Sequence, residues 1–160
     1  MANRVNPIPE GFQGATPYLC CKGAANALAF YKQAFGAVEV MRLAEPGGRV
    51  GHAEIKIGAA LLMLSDEYPE MGVRSPQSLG GSPVGIHLYV EDVDTVAAQA
   101  VAAGAKLLRP VADQFYGDRS GTLEDPFGHR WFIATHKEDL SPEEVQQRYD
   151  RFMKQSAGMG

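Results

Sequence analysis

The chain has 160 residues, of which 45% are hydrophobic and 21% charged, which suits one domain or two small halves sharing a core. Its net charge of -4 and the lack of any basic stripe argue against a nucleic-acid partner. No apolar run approaches the roughly 20 residues needed to span a bilayer, and Met1–Pro7 lacks the apolar core of a signal peptide, so no membrane is expected.

Residues 1–15 are rich in Pro, Gly and Asn without any period, and read as an extended lead-in. Thr16–Lys22 is a short β run carrying the only cysteines, Cys20 and Cys21. Neighbouring cysteines on a strand point to opposite sides, so they predict no disulfide and suit a reducing cytoplasm. Without a second pair they make no zinc knuckle. After Gly23, Ala24–Phe35 places Leu28, Tyr31 and Phe35 at helical spacing, and Gly36 fits the left-handed position that ends a helix. Ala37–Ala44 alternates as a strand, Glu45-Pro46-Gly47-Gly48 reads as a turn, and Val50–Ile57 and Ala59–Ser65 are two further strands around Gly58. Asp66–Pro83 has no clear period and suits a functional loop or a linker.

The pattern then starts again. Gly85–Val90 is a strand, Asp92 is a good N-cap, and Val93, Val96, Ala97, Ala100 and Val101 share one helical face. Gly104 ends that helix, Lys106–Val111 is a strand, and Asp113–Ser120 reads as a polar loop. Two alternating flanks around Asp125-Pro126-Phe127-Gly128 complete the series as a hairpin, because Pro presets φ, Asp bonds its own backbone and Gly tolerates positive φ. Strand–helix–three strands therefore occurs twice, with Gly51, Glu54 and Gly58 echoed by Gly121, Glu124 and Gly128. Ser141-Pro142-Glu143-Glu144 opens a last helix with a capping box. Its apolar side, Val145, Tyr149, Phe152 and Met153, predicts docking on the body or on a partner subunit, and the tail after Ser156 should fray.

The expected fold is α+β. Two tandem βαβββ modules, 16–66 and 85–138, are joined by a linker over 67–84 and followed by a C-terminal helix and tail over 139–160. Strand alternation puts Ala53, Ile55 and Ile57 on one face and His52, Glu54 and Lys56 on the other. By the same rule His87 and Tyr89, Tyr18 and Cys20, Thr122 and Glu124, and Arg130, Phe132 and Ala134 share the face away from the helices. His, Tyr, Glu and Arg with Phe among them suit a ligand cavity better than a solvated sheet face.

Several stretches carry a resemblance to a known family. They are Ala29–Gly36 (AFYKQAFG), Gly51-His52-Ala53-Glu54, Leu62–Asp66 (LMLSD), Val90–Asp94 (VEDVD), Tyr116–Gly121 (YGDRSG) and Glu124–His129 (EDPFGH). Over about residues 14–138 the chain resembles the vicinal oxygen chelate superfamily of glyoxalase I, bleomycin and fosfomycin resistance proteins and extradiol dioxygenases, most of all its PhnB-like branch. The resemblance implies that the two modules form an open, curled mixed β-sheet around a central cavity, that the protein is a homodimer, and that a metal, where present, is held by the first and last strand of each module through His and Glu side chains. Those positions fall at about Thr16, Met63, Gly85 and Phe132, where none is a ligand of the glyoxalase kind.

Two readings of the polar face follow. His52, Glu54 and His87 form a displaced divalent-metal site for Zn, Ni, Mn or Fe, or they line a polar pocket that needs no cofactor. Glu54 and Glu124 serve as a paired acid and base, or Glu124 merely ties down its own turn. Arg119 and Arg130 suit an anionic ligand, with surface salt bridges as the plainer reading. Tyr18, Tyr89, Tyr116 and Phe132 would stack on a planar ligand, and Thr122 and Cys20 line the same face. Nothing near Cys20 lowers its pKa, so it reads as a small buried residue rather than a reactive thiol. His129 and His136 read as surface residues. The favoured function is small-molecule binding without the four-ligand metal site. A glyoxalase-type metal lyase or isomerase is the alternative, and a non-catalytic accessory protein is the third reading.

Overall fold

Apolar residues alternate along the strands because one sheet face must pack on a helix, and that single requirement generates the same layout twice. The structure, a computed structural model, describes residues 4–158. It divides into two compact units, one running through Gly81 and the other from Ser82.

In the first unit, β1 (Tyr18–Cys20), α1 (Ala24–Phe35), β2 (Val38–Ala44), β3 (Val50–Ile57) and β4 (Ala60–Ser65) build a four-stranded sheet in the order β1-β4-β3-β2. β1 runs parallel to β4, and the other pairs are antiparallel. The first strand is shorter than the run 16–22, since only Tyr18–Cys20 pairs in full, although the Pro17 carbonyl still accepts from Met63 N–H at 2.9 Å. Gly36 closes α1 with φ 66, where its N–H reaches back to the Lys32 carbonyl. Ala53, Ile55, Ile57, Leu62 and Leu64 are buried, as are Ala24, Ala27, Leu28 and Tyr31 of α1, while His52, Glu54 and Lys56 stay on the opposite face. Alternation therefore sorts this sheet as expected.

The second unit repeats the plan with β5 (Gly85–Tyr89), α3 (Val93–Ala103), β6 (Lys106–Asp113), β7 (Asp118–Glu124) and β8 (Arg130–His136), ordered β5-β8-β7-β6. The stretch expected as a loop over 113–120 is a tight turn of 114–117, closed by Gln114 N–H to the Asp118 carbonyl at 2.7 Å. Strand pairing extends past Pro110 because the β6–β7 register shifts between Arg109 and Ala112. The hairpin turn is tied by Asp125, which accepts from the N–H groups of Phe127 and His129 through Oδ1 and from the Trp131 indole through Oδ2. Glu124 does not hold this turn, and His129, expected at the surface, is buried inside it.

The residues read as a linker fold onto the first unit as far as Gly81. They contain a 3₁₀ turn over Pro69–Met71 and a short helix, α2 (Pro76–Leu79). Glu67 organises the loop by accepting from Ser75 N–H and Oγ–H at 2.8 and 2.6 Å, and from the Ser78 hydroxyl. These bonds, the Ser75 hydroxyl's first, hold the Glu67 carboxyl down at about 2, against an ordinary 4.5. A depressed pKa stabilises the loop in full above pH 4.5, and that stability is lost as pH falls toward 2. Exchange of the Ser75 amide, corrected for its intrinsic rate, should accelerate over that window and lose this pH dependence in Glu67→Gln.

The last helix, α4 (Pro142–Ala157), starts at the expected capping box, with Ser141 accepting from Glu144 N–H and Glu144 from Ser141 N–H. It docks on its own unit through Phe115, which stacks on Phe152 at 5.2 Å and lies 5.6 Å from Tyr149. No α4 residue is buried, so Tyr149, Phe152 and Met153 keep much of their surface open. No helix among the described residues is long and apolar enough to cross a membrane.

Candidate functional site

β1 and β3 bring three of the expected side chains together on the open face of the first sheet. The Tyr18 hydroxyl lies 2.7 Å from Nδ1 of His52, and Nε2 of the same ring lies 3.2 Å from Oε1 of Glu54. The Tyr18 and His52 rings are 5.5 Å apart at a tilt of 40°. Tyr18 also lines a cavity of about 540 Å³ with Leu43, Glu45, Gly51, Ser65, Tyr68, Met71 and Val73. Among its lining residues Glu45 alone carries a charge. It accepts from the Tyr68 hydroxyl at 2.6 Å and from Arg49 at 2.8 Å, and the Arg49 guanidinium sits 4.2 Å above the Tyr68 ring. The Tyr68 hydroxyl, then Arg49, holds the Glu45 carboxyl below its usual range.

Sequence reasoning found Tyr18, His52 and Glu54 but not their order, and it missed Glu45, Tyr68 and Met71 altogether. Those three lie in a turn and in the stretch without a period, where no alternation assigns a face. Cys20 sits nearby, 3.9 Å from the Asp66 carbonyl. Burial, followed by the charges of Glu67 and Asp66, pushes its thiol up to about 11, so it is a poor nucleophile.

In the second unit His87 lies against Tyr89, with ring centroids 4.6 Å apart. The Tyr89 hydroxyl donates to buried Asp118 at 2.7 Å, and the other Asp118 oxygen meets Nδ1 of His136 at 2.8 Å. His136 is exposed, as expected, but Asp118 and then Asp139 raise its pKa by favouring the imidazolium. Asp118 was hidden within the expected loop, and the Tyr116–Gly121 stretch was the only signal for it. Tyr116 stands on the β6–β7 turn rather than on a strand, 3.1 Å from the Ser120 hydroxyl and packed edge-on against Phe115. Arg119 is committed to ion pairs with Asp94 at 2.7 Å and Asp113 at 3.2 Å, whereas Arg130 is exposed. Thr122 and Ala134, expected on the open face, are both buried.

Register relates the two units more closely than the glycine echoes do. Cys21 N–H donates to the Ser65 carbonyl just as Val90 N–H donates to that of Ala134. Asp66 takes the Ala24 N–H, and Thr135 takes that of Val93. On this frame the row Tyr18, Met63, Glu54 in the first sheet matches His87, Phe132, Thr122 in the second. The counterpart of Glu54 is therefore Thr122, and Glu124 lies two residues further along.

The positions expected to hold a metal are occupied otherwise. Phe132 leans over Gly85 so closely that a Cβ there would lie 2.1 Å from the ring. Any side chain at 85 would have to displace the Phe132 ring. Met63 pairs in register with Tyr18, which offers a phenol rather than an imidazole. Among the described residues no three His, Cys, Asp or Glu side chains are grouped so as to hold a metal ion.

Residues 15–133 match the model of the Glyoxalase/Bleomycin resistance protein/Dioxygenase superfamily. The chain belongs to that superfamily. An uncharacterized protein of Mycobacterium tuberculosis is 42% identical over 134 residues, covering 82% of this chain and 79% of the relative. The solved structure of an Arabidopsis thaliana gene product superimposes with a TM-score of 0.62 at 28% identity, over 77% of this chain and 98% of that one. A PhnB protein from Bacillus cereus shares the fold with a TM-score of 0.59 at 24% identity, over 77% of this chain and 99% of its own. The tandem βαβββ layout is thus the superfamily's fold.

Proposed function

We propose that this superfamily member binds a flat, largely apolar small molecule in the first unit's cavity, without a metal. The observation that carries the reading is the cavity itself. It has about 540 Å³, enough for a ligand of drug size, with Tyr18 and Tyr68 as aromatic walls, Leu43, Met71 and Val73 as apolar lining, and the Glu45 carboxylate as its charged anchor. Metal independence is supported by Phe132 over Gly85 and by Met63 beside Tyr18, since these groups do not fit a hard divalent ion. Likeness to a PhnB protein fits a place in that branch. A homodimer belongs to the same proposal, supported by the exposed apolar side of α4.

Metal analysis of protein purified without an affinity tag should find Zn, Ni, Mn and Fe well below one per chain. A stoichiometric metal that His52→Ala removes would overturn the metal-free half. A panel of planar aromatic compounds screened by melting temperature should contain binders, and Leu43→Trp, which fills the cavity, should abolish their shifts. Shifts that survive Leu43→Trp would place the ligand elsewhere.

A further inference from the structure

Resting on the reading that this cavity takes a small molecule, we propose that Tyr18, His52 and Glu54 form a metal-free proton-transfer relay whose outer group, the Tyr18 oxygen, takes a proton from the bound ligand. The order of the groups carries the inference. A carboxylate only accepts, so the His52 tautomer that serves Glu54 has its proton on Nε2. That leaves the Nδ1 lone pair, 2.7 Å away, to receive the Tyr18 proton. Nucleophile–base–orienter chains work by this logic, with the base held by the third group and aimed at the first. Tyr18 is 52% exposed and lines the cavity, whereas the side chains of His52 and Glu54 are 22% and 15% exposed. Of the three relay residues, Tyr18 is the one that a ligand in the cavity would touch.

The second unit supplies the contrast. There a carboxylate, Asp118, stands between Tyr89 and His136, so the phenol donates directly to an acceptor and its pKa rises. Tyr89 is thereby locked as a donor. In the first unit the imidazole stands between phenol and carboxylate, which is the arrangement that lets the phenol lose its proton.

The chemistry needs no co-reactant. A C–H bond beside an electron-withdrawing group of the ligand breaks, and its electron pair stays with the ligand as a new π bond. The proton goes to the Tyr18 oxygen, the phenol's own proton passes to Nδ1 of His52, and the imidazolium is neutralised by Glu54. Return of a proton to a different ligand atom resets the relay and leaves an isomer. The substrate class is a planar carbonyl compound or related molecule with an acidic C–H. Tyr18 is the catalytic residue, while His52 and Glu54 act through it.

The test uses 5-nitrobenzisoxazole, a flat apolar probe whose ring opens to a coloured cyanophenolate when a base removes its C–H and the N–O bond breaks. Saturable turnover is expected. Tyr18→Phe and His52→Gln should each lower kcat at least about tenfold, the lower range of general-base effects being larger still. KM should stay within about twofold, because the cavity wall is retained. Glu54→Gln should lower kcat with KM unchanged, a split that simple loss of folding would not give. If the probe raises the melting temperature but both variants turn over as fast as the parent, the relay falls and the binding reading stands. If the probe neither binds nor turns over, both fall together.

Discussion

Replacing Asp125 with alanine should destabilise the second unit by about 4 kcal/mol, near the upper end for one substitution. Asp125 is 3% exposed, and its carboxylate accepts from Phe127 N–H at 2.9 Å, His129 N–H at 3.0 Å and the Trp131 indole at 2.9 Å. Alanine takes the carboxylate acceptor away from each of these buried donors, and each charge-assisted bond lost costs roughly 1.5–3 kcal/mol before relaxation. Trp131 adds to the effect because it is 1% exposed at the base of the hairpin and cannot turn its N–H to water. For a chain of this size the melting temperature should drop by roughly 8–16 °C. Asp125→Asn should cost less, since its carbonyl oxygen still serves the turn. A melting temperature lowered by less than 2 °C in the alanine variant would show that the turn relaxes without its carboxylate.

The second large effect belongs to Asp66. Its Oδ1 accepts from Gly23 and Ala24 N–H, both at 2.9 Å, and its Oδ2 accepts from Val50 N–H at 2.7 Å. Gly23, the residue before α1, has φ 95 and no side chain to cap the helix, so Asp66 supplies the cap from the end of β4. The negative charge also meets the positive end of the helix dipole. Asp66→Ala should therefore cost about 3 kcal/mol, more than an ordinary cap, because the entry of β3 is released as well. Amide exchange resolves the claim by residue, with protection expected to fall at Gly23, Ala24 and Val50 together. Loss at the helix alone would mean that Val50 finds another acceptor.

Both carboxylates lie in stretches that carried the family resemblance, Asp66 closing Leu62–Asp66 and Asp125 within Glu124–His129. Their recurrence as motifs has a physical cause, since each ties two elements at once. Asp125 acts within its own turn, and the sequence shows that directly. Asp66 acts on residues 42 and 43 positions earlier, which no local pattern reports. The same distinction separates the site residues. His52 and Glu54 are two apart on one strand, so alternation places them on one face. Tyr18 reaches His52 across a separation of 34 residues, and Tyr68 reaches Glu45 across 23.

What the sequence determines here is whatever repeats within a turn or a strand. The helix Ala24–Phe35, the strand Val50–Ile57, the capping box at Ser141 and the Asp125–Gly128 turn all follow from side chains within four residues of each other. The duplication follows from them, because one plan of apolar faces demands the same layers twice. Tertiary structure alone decided the rest. Register between β1 and β4 put Tyr18 beside Met63, register between β7 and β8 matched Thr122 rather than Glu124 to Glu54, and the approach of Phe132 closed the space over Gly85. These outcomes depend on which strands pair and how far side chains lean across them, and a backbone period of two residues carries no information about either.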